Sequence, residues 1–215
     1  MLGTGTDTGT IKLSKEFKEV TPPRTERQLE NRKDFLLEFG HIFPFLTCNG
    51  ILVDDYDDYA ICKKCNIPFE TAEMGTEIKD EVISRIVYKQ LNIGHLSPFQ
   101  RCEILLRNQK ALKATADWRE YDFPADFAEI AGVSQKTLDL VKEMLSLDYK
   151  NEDLLNLVRD ERISISRAHD KLMEEAEMND LKNDLKDLIN TIESFYGVPS
   201  VVFPSLQRIA KKYRR

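Results

Sequence analysis

The chain lacks the long apolar run that a membrane helix needs. None of its 215 residues falls in a stretch near the ~20 apolar positions required. The opening, MLGTGTDTGTIKLSKEF, has neither the basic start nor the apolar h-region of a secretory leader. These absences point to a cytoplasmic protein with no membrane partner. Cysteine is scarce too: Cys48, Cys62, Cys65 and Cys102 are the whole set, and a cytoplasmic setting keeps them as free thiols. Only one CxxC occurs, Cys62 to Cys65, with Cys48 and His41 upstream. A closed zinc site needs four ligands. Here the CxxC falls at i and i+3 of a short predicted helix, so packing is the better reading and no metal or other cofactor is expected. An excess of positive charge is also missing. Lys and Arg number 31 against 37 Asp and Glu, a net charge of −6. That argues against a surface that grips nucleic acid all round, and says nothing of a local basic face. With 41% hydrophobic and 32% charged residues, the chain is polar yet can build cores, and its length suits one large domain or two small ones.

Glycine is missing at residues 51–59. The apolar strand Ile51-Leu52-Val53 runs into Asp54, Asp55, Asp57 and Asp58, interleaved with Tyr56 and Tyr59. A strand-to-helix turn usually holds phosphate on free N–H groups at the helix start. This one carries a block of negative charge instead. Four carboxylates invite Mg²⁺ or Ca²⁺, but the spacing is not that of an EF-hand, and no His or Lys base for a metal-dependent nuclease lies nearby in sequence.

Around the turn, the pattern predicts a flexible tail over 1–22 and a helix from Pro23 to Phe39 stopped by Gly40. HIFPFLT (41–47) reads as extended chain, Asn49-Gly50 as a hairpin turn, residues 57–66 as a short helix and 69–74 as a strand. After this the chain reads as helical. Helices are predicted over 79–91 and from Ser97-Pro98, a cap followed by proline at the first position, to about Leu112. Residues 111–122 form a polar connection holding Trp118.

FPADFAEIAGVSQKTLDLVKEML (123–145) carries the clearest functional signal. A short helix ends at Gly132, Val133 plugs the turn, and Ser134 caps a helix whose buried face is Leu138, Val141 and Leu145. This is the spacing of a helix-turn-helix, which projects its second helix into the DNA major groove. Gln135, Lys136, Thr137, Asp139 and Lys142 would be exposed there, and Gln, Lys and Thr can read base edges or phosphates. A generic helical hairpin is the plainer alternative. Residues 151–177 read as two further helices around Arg162. Residues 180–195 read as another, with Leu181, Leu185, Leu188, Ile189 and Ile192 at helical spacing among charges. So polar a helix suits a partner helix in a homodimer, or folds back on its own domain. The tail SLQRIAKKYRR (205–215) is basic and could clamp phosphate.

Taken in order, residues 29–173 resemble the ParB-like family of partition proteins and their mobile-element relatives. FLLEFGHIFPFLTCNGILVDDYDDYAICKKCNIPFETAEM is similar to that family's N-terminal unit, QLNIGHLSPFQRCEILLR to its link into the DNA-binding domain, IAGVSQKTLDLVKEML to its helix-turn-helix, and LLNLVRDERISISRAHDKL to the helix pair after it. The resemblance implies an α+β chain. It would comprise a small ParB/sulfiredoxin-like α/β domain over 23–95, an all-α helix-turn-helix domain over 96–175, and a C-terminal amphipathic helix with a basic tail over 176–215. It also implies double-stranded DNA as partner, contacted by Gln135, Lys136, Thr137 and Lys142 with help from Arg101, Arg107 and Arg167. The family's first domain binds CTP or carries a nuclease-like activity, with glycine and arginine in the turn and a second arginine further on. Here Asp55 and Asp58 take the first two places beside Asp54, and Lys89-Gln90-Leu91-Asn92-Ile93 ends in Ile93 where that arginine belongs. Carboxylates repel a triphosphate by at least ~1 kcal/mol per close pair. The implication is a degenerate motif, no CTP binding and no enzymatic activity, with the N-terminal domain left as a protein-binding remnant. The sulfiredoxin scaffold's cysteine is likewise absent from DDYDDY. The alternative is an interaction or inhibitor protein whose acidic N-terminal surface docks a basic partner or mimics DNA.

Overall fold

The structure, a computed structural model, describes residues 11–75, 78–93, 96–115, 118, 126–147, 151–196 and 208. It is α+β: a four-stranded mixed sheet lies at the N-terminal end and helices make up most of the rest. The order is β1 (Lys12–Leu13), α1 (Lys15–Lys18), α2 (Glu26–Phe39), β2 (Phe45–Cys48), β3 (Ile51–Leu52), α3 (Tyr56–Cys65) and β4 (Thr71–Glu73). Then come α4 (Lys79–Ile93), α5 (Pro98–Ala114), α6 (Phe127–Ala131), α7 (Gln135–Ser146), α8 (Glu152–Arg159) and α9 (Ile165–Tyr196).

The strands lie in the order β1-β3-β2-β4. β2 and β3 are antiparallel, pairing Cys48 with Ile51 and Thr47 with Leu52. The turn between them holds Asn49 at φ 52° and Gly50 at φ 71°, the two positive φ values a tight hairpin needs. β4 runs parallel to β2. Part of the expected tail is structured. Lys12 and Leu13 pair in parallel with Ile51 and Leu52, Val20 is buried, and its carbonyl accepts from Asn108 Nδ2 at 2.9 Å. A two-residue strand has no periodicity to read, which is why sequence reasoning passed over it. Residues 1–10 lie outside the described residues.

The expected boundary at residues 95 and 96 does not divide the core. Cys48 and Val53 share one buried cluster with Val82, Ile86, Phe99, Leu105, Val141 and Leu172. A second, smaller cluster of Leu36, Phe45, Leu52 and Cys62 sits between the sheet and α2 and α3. Polar groups tie the two regions as well. Thr25 caps α2 with a capping box to Gln28, and its Oγ1 donates to Asp160 Oδ1 at 2.5 Å. Gln28 Nε2 donates to Gln100 Oε1 at 3.2 Å. Ser97 caps α5 in a second box with Gln100, Pro98 following at the first position. Trp118 is buried, and its Nε1 donates to Ser84 Oγ at 2.7 Å.

α9 departs from expectation. Two helices were predicted across 163–195, with a domain boundary near 176. One helix runs from Ile165 to Tyr196. Its early turns bury Ala168, Leu172 and Ala176 against α7 and α8. No described helix is long and apolar enough to cross a membrane.

Candidate functional site

The acidic turn is a charge-compensated knot. Asp54 and Asp58 are 2% and 1% exposed. Asp55 and Asp57 are half-buried. Burying a carboxylate costs several kcal/mol unless it is paired, and here each buried one is. Asp58, in the first turn of α3, faces two guanidiniums. Arg24 Nη1 donates to its Oδ1 at 2.7 Å. Arg32 donates to Oδ2 from Nε at 2.9 Å and from Nη2 at 2.5 Å. Burial pushes the Asp58 carboxyl up, but the Arg32 hydrogen bonds and the Arg24 charge outweigh it and hold it below the usual carboxylate range. His41, stacked on Phe45 with centroids 3.8 Å apart, brings Nε2 to 3.8 Å from Asp58. Burial keeps that imidazole below its ordinary value despite Asp58.

Asp54 is paired from the other side. Its Oδ1 accepts from Gln90 Nε2 at 3.0 Å and from the Asp55 backbone N–H at 2.7 Å. Its Oδ2 is 2.7 Å from Lys89 Nζ, which also lies 2.6 Å from Asp55 Oδ2. Burial and the neighbouring Asp55 charge raise the Asp54 carboxyl in spite of Lys89. For Lys89 burial works downward, and the two aspartates outweigh it. Asp55 itself has φ 54° and ψ 37°. This left-handed conformation is the one glycine adopts freely, while aspartate holds it at a cost of order 1 kcal/mol. The backbone shape of a glycine turn is therefore present without the glycine. The expected exposed block of negative charge is not: half of it lies inside, neutralised by Arg24, Arg32 and Lys89. Sequence reasoning missed those cations because Arg24 and Lys89 stand far from Asp58 and Asp54 along the chain. The Thr25–Gln28 capping-box spacing was the available signal that Arg24 sits at a fixed helix entrance.

His41, Cys48, Cys62 and Cys65 form no metal cluster, and among the described residues no three His, Cys, Asp or Glu side chains are arranged to hold an ion. Cys62 is buried on α3 and burial pushes its thiol up to about 11.

The second region is α6, α7 and their surroundings. α6 ends at Gly132, whose φ of 68° and ψ of 37° are left-handed. Its N–H closes the helix, and the Val133 N–H bonds back to Ala128 O at 2.9 Å. The Arg101 guanidinium lies over this turn, with Nη1 3.7 Å from where a Cβ on residue 132 would stand. Ser134 Oγ then accepts from the Thr137 N–H at 3.2 Å and caps α7. Leu138, Val141 and Met144 are the buried stripe. Leu145, expected in that stripe, is only half-buried, because Met144 completes the i, i+3, i+6 face that meets α5 and α9.

Of the expected contact residues, Gln135, Lys136 and Lys142 stand exposed on α7. Gln135 Nε2 donates to Asp139 Oδ1 at 2.9 Å on the same face. Thr137 is half-buried and belongs to the cap. Arg167 is exposed in the first turn of α9. Arg107 is engaged otherwise: its Nη2 lies 2.5 Å from Glu103 Oε1. Glu103 also holds the fully buried Arg159 at 2.9 Å, tying α5 to α8. His169 Nε2, 2.9 Å from Glu143 Oε2, ties α9 to α7. Ile93 is the last residue of α4. Except for exposed Arg208, the basic tail lies outside the described residues.

No family model matches the chain, and no curated protein does. A solved structure described as a "Pnob8-like ParB-N domain" is similar. It is 18% identical, with a TM-score of 0.46, covering 87% of this chain and 86% of that one. A likeness so distant fixes neither family nor function.

Proposed function

We propose that this chain is a ParB-like DNA-binding protein, a regulator or segregation-type adaptor, that docks duplex DNA with α7 and does not bind or hydrolyse CTP. The observation that carries the first half is the α6–Gly132–Ser134–α7 unit. Its left-handed glycine, serine cap and buried stripe leave Gln135, Lys136 and Lys142 outward on one rigid helix. Such a helix fits the major groove. Arg101 and Arg167 flank it as phosphate contacts, whereas Arg107 would first have to leave Glu103. The net charge of −6 does not oppose this, since binding draws on the local face.

The loss of nucleotide binding rests on the occupied turn. Both guanidiniums near the α3 N-terminus are committed to Asp58, and the Lys89 ammonium is committed to Asp54 and Asp55. A phosphate entering there would have to displace carboxylates that are already in place. The N-terminal unit then serves as scaffold and as a surface for a protein partner. Selection of duplex sites from a random pool, run beside calorimetric titration with CTP and Mg²⁺, tests both halves. The expected outcome is an enriched sequence and no heat of nucleotide binding. No enrichment would sink the first half, and clear CTP binding the second.

A further inference from the structure

α9 carries two apolar stripes on opposite sides. The first, Ile165, Ala168, Leu172 and Ala176, packs into the chain's own core. Continued at the same spacing, it would meet Asn179 and Asp180 and stop. The second begins at Met178 and runs Leu181, Leu185, Leu188, Ile192 and Phe195. At about 100° per residue, its direction lies roughly half a turn round the helix from the first. A straight helix cannot turn both faces to one core. The structure agrees: Met178, Leu181 and Leu188 are 38%, 44% and 49% exposed, and Leu185 is half-buried.

The second stripe has a different period from the first. Its steps alternate three and four residues, the seven-residue repeat of a coiled-coil seam. With Met178 at position a, every a and d position through residue 195 is apolar. Every b, c and f position (Asn179, Asp180, Asn183, Lys186, Asp187, Asn190, Glu193 and Ser194) is polar. The flanking charges choose the partner. Positions g hold Glu177 and Asp184, and the first e position holds Lys182. In a parallel pair of identical helices, g of one strand meets the following e of the other. That sets Glu177 against Lys182 of the second copy, twice by symmetry. An antiparallel pair would align g with g and bring acids together.

We propose that α9 pairs with α9 of a second copy of this chain, in parallel and in register, over residues 178–195. The inference does not rest on the DNA-binding reading, because the pairing needs no nucleic acid. Sedimentation velocity of the full chain without DNA, over about 1–100 μM, is expected to show a concentration-dependent dimer. Leu181→Asp with Leu188→Asp puts two charges into the seam. It should weaken the dimer at least ~100-fold while leaving the circular dichroism spectrum and melting temperature unchanged, since both side chains are exposed in the single chain. Lys182→Glu alone should weaken it roughly 3–10-fold, and Glu177→Lys added to it should restore it. A wild-type chain that stays monomeric at every concentration, as it would with its stripe covered by residues 197–215, overturns the proposal. So does a double-aspartate variant that dimerises like wild type. Failure of the charge swap to restore association overturns the parallel register.

Discussion

The acidic turn and the α6–α7 unit handle polar residues in opposite ways. At the turn, Asp54 and Asp58 are buried and satisfied by Arg24, Arg32, Lys89 and Gln90, so the charges serve the fold. On α7, Gln135, Lys136 and Lys142 are outside, the fold does not need them, and they remain free to serve a ligand. The same kind of residue therefore means structure in one place and function in the other. Burial decides which, and burial cannot be read from composition.

The contrast breaks most sharply at Asp58. Asp58→Ala leaves two guanidiniums facing each other over an apolar floor. Expected is a loss of about 2–4 kcal/mol in urea unfolding, short of the full buried-pair cost because both arginines keep some solvent. The same carboxylate sets a pH dependence. Its folded value lies below the unfolded one, so its contribution is complete above the unfolded value, about 3.9. It is lost as pH falls through the lower folded value. Asp58→Asn should unfold with a flatter acid limb than wild type below about pH 4, and an identical limb would show that the pairing is not felt in solution.

Next in size is Gly132→Ala. The left-handed φ costs a non-glycine residue about 1 kcal/mol, and a Cβ would meet Arg101 at ordinary contact distance. Thermal unfolding should reflect strain alone. Ser134→Ala removes the α7 cap and should cost about 0.5–1 kcal/mol by the same measurement. The smallest effect is the most telling. Lys136→Ala and Lys142→Ala should each change stability by less than about 0.5 kcal/mol, because neither side chain is buried. A larger loss would place them with Asp58, as parts of the fold.

Much of the local structure was legible. Asn49-Gly50, Ser97-Pro98-Phe99-Gln100 and Ala131-Gly132-Val133-Ser134 each carry a short-range mechanism, and each forms the turn or cap its residues require. What stayed hidden was long-range. Arg24 with Asp58, Lys89 with Asp54, and Arg159 with Glu103 are side-chain pairings between elements far apart in the chain. Nothing local marks a charge as internal. The single long α9 was hidden for a different reason: two stripes of different period on opposite faces look like two helices when each is read alone. At the candidate interface the positions on α7 were legible, and the commitment of Arg107 to Glu103 was not.

The most direct test is duplex binding by fluorescence anisotropy across a salt series, comparing wild type with Gln135→Ala plus Lys136→Ala. Wild type should bind with a steep salt dependence, its log affinity falling by about 0.9 per phosphate contact per unit log salt. The double variant, with unchanged melting temperature, should bind at least ~10-fold more weakly and with a shallower slope. Equal affinity and an equal slope in the two proteins would contradict the account, and the exposed residues of α7 would then have no part in binding DNA.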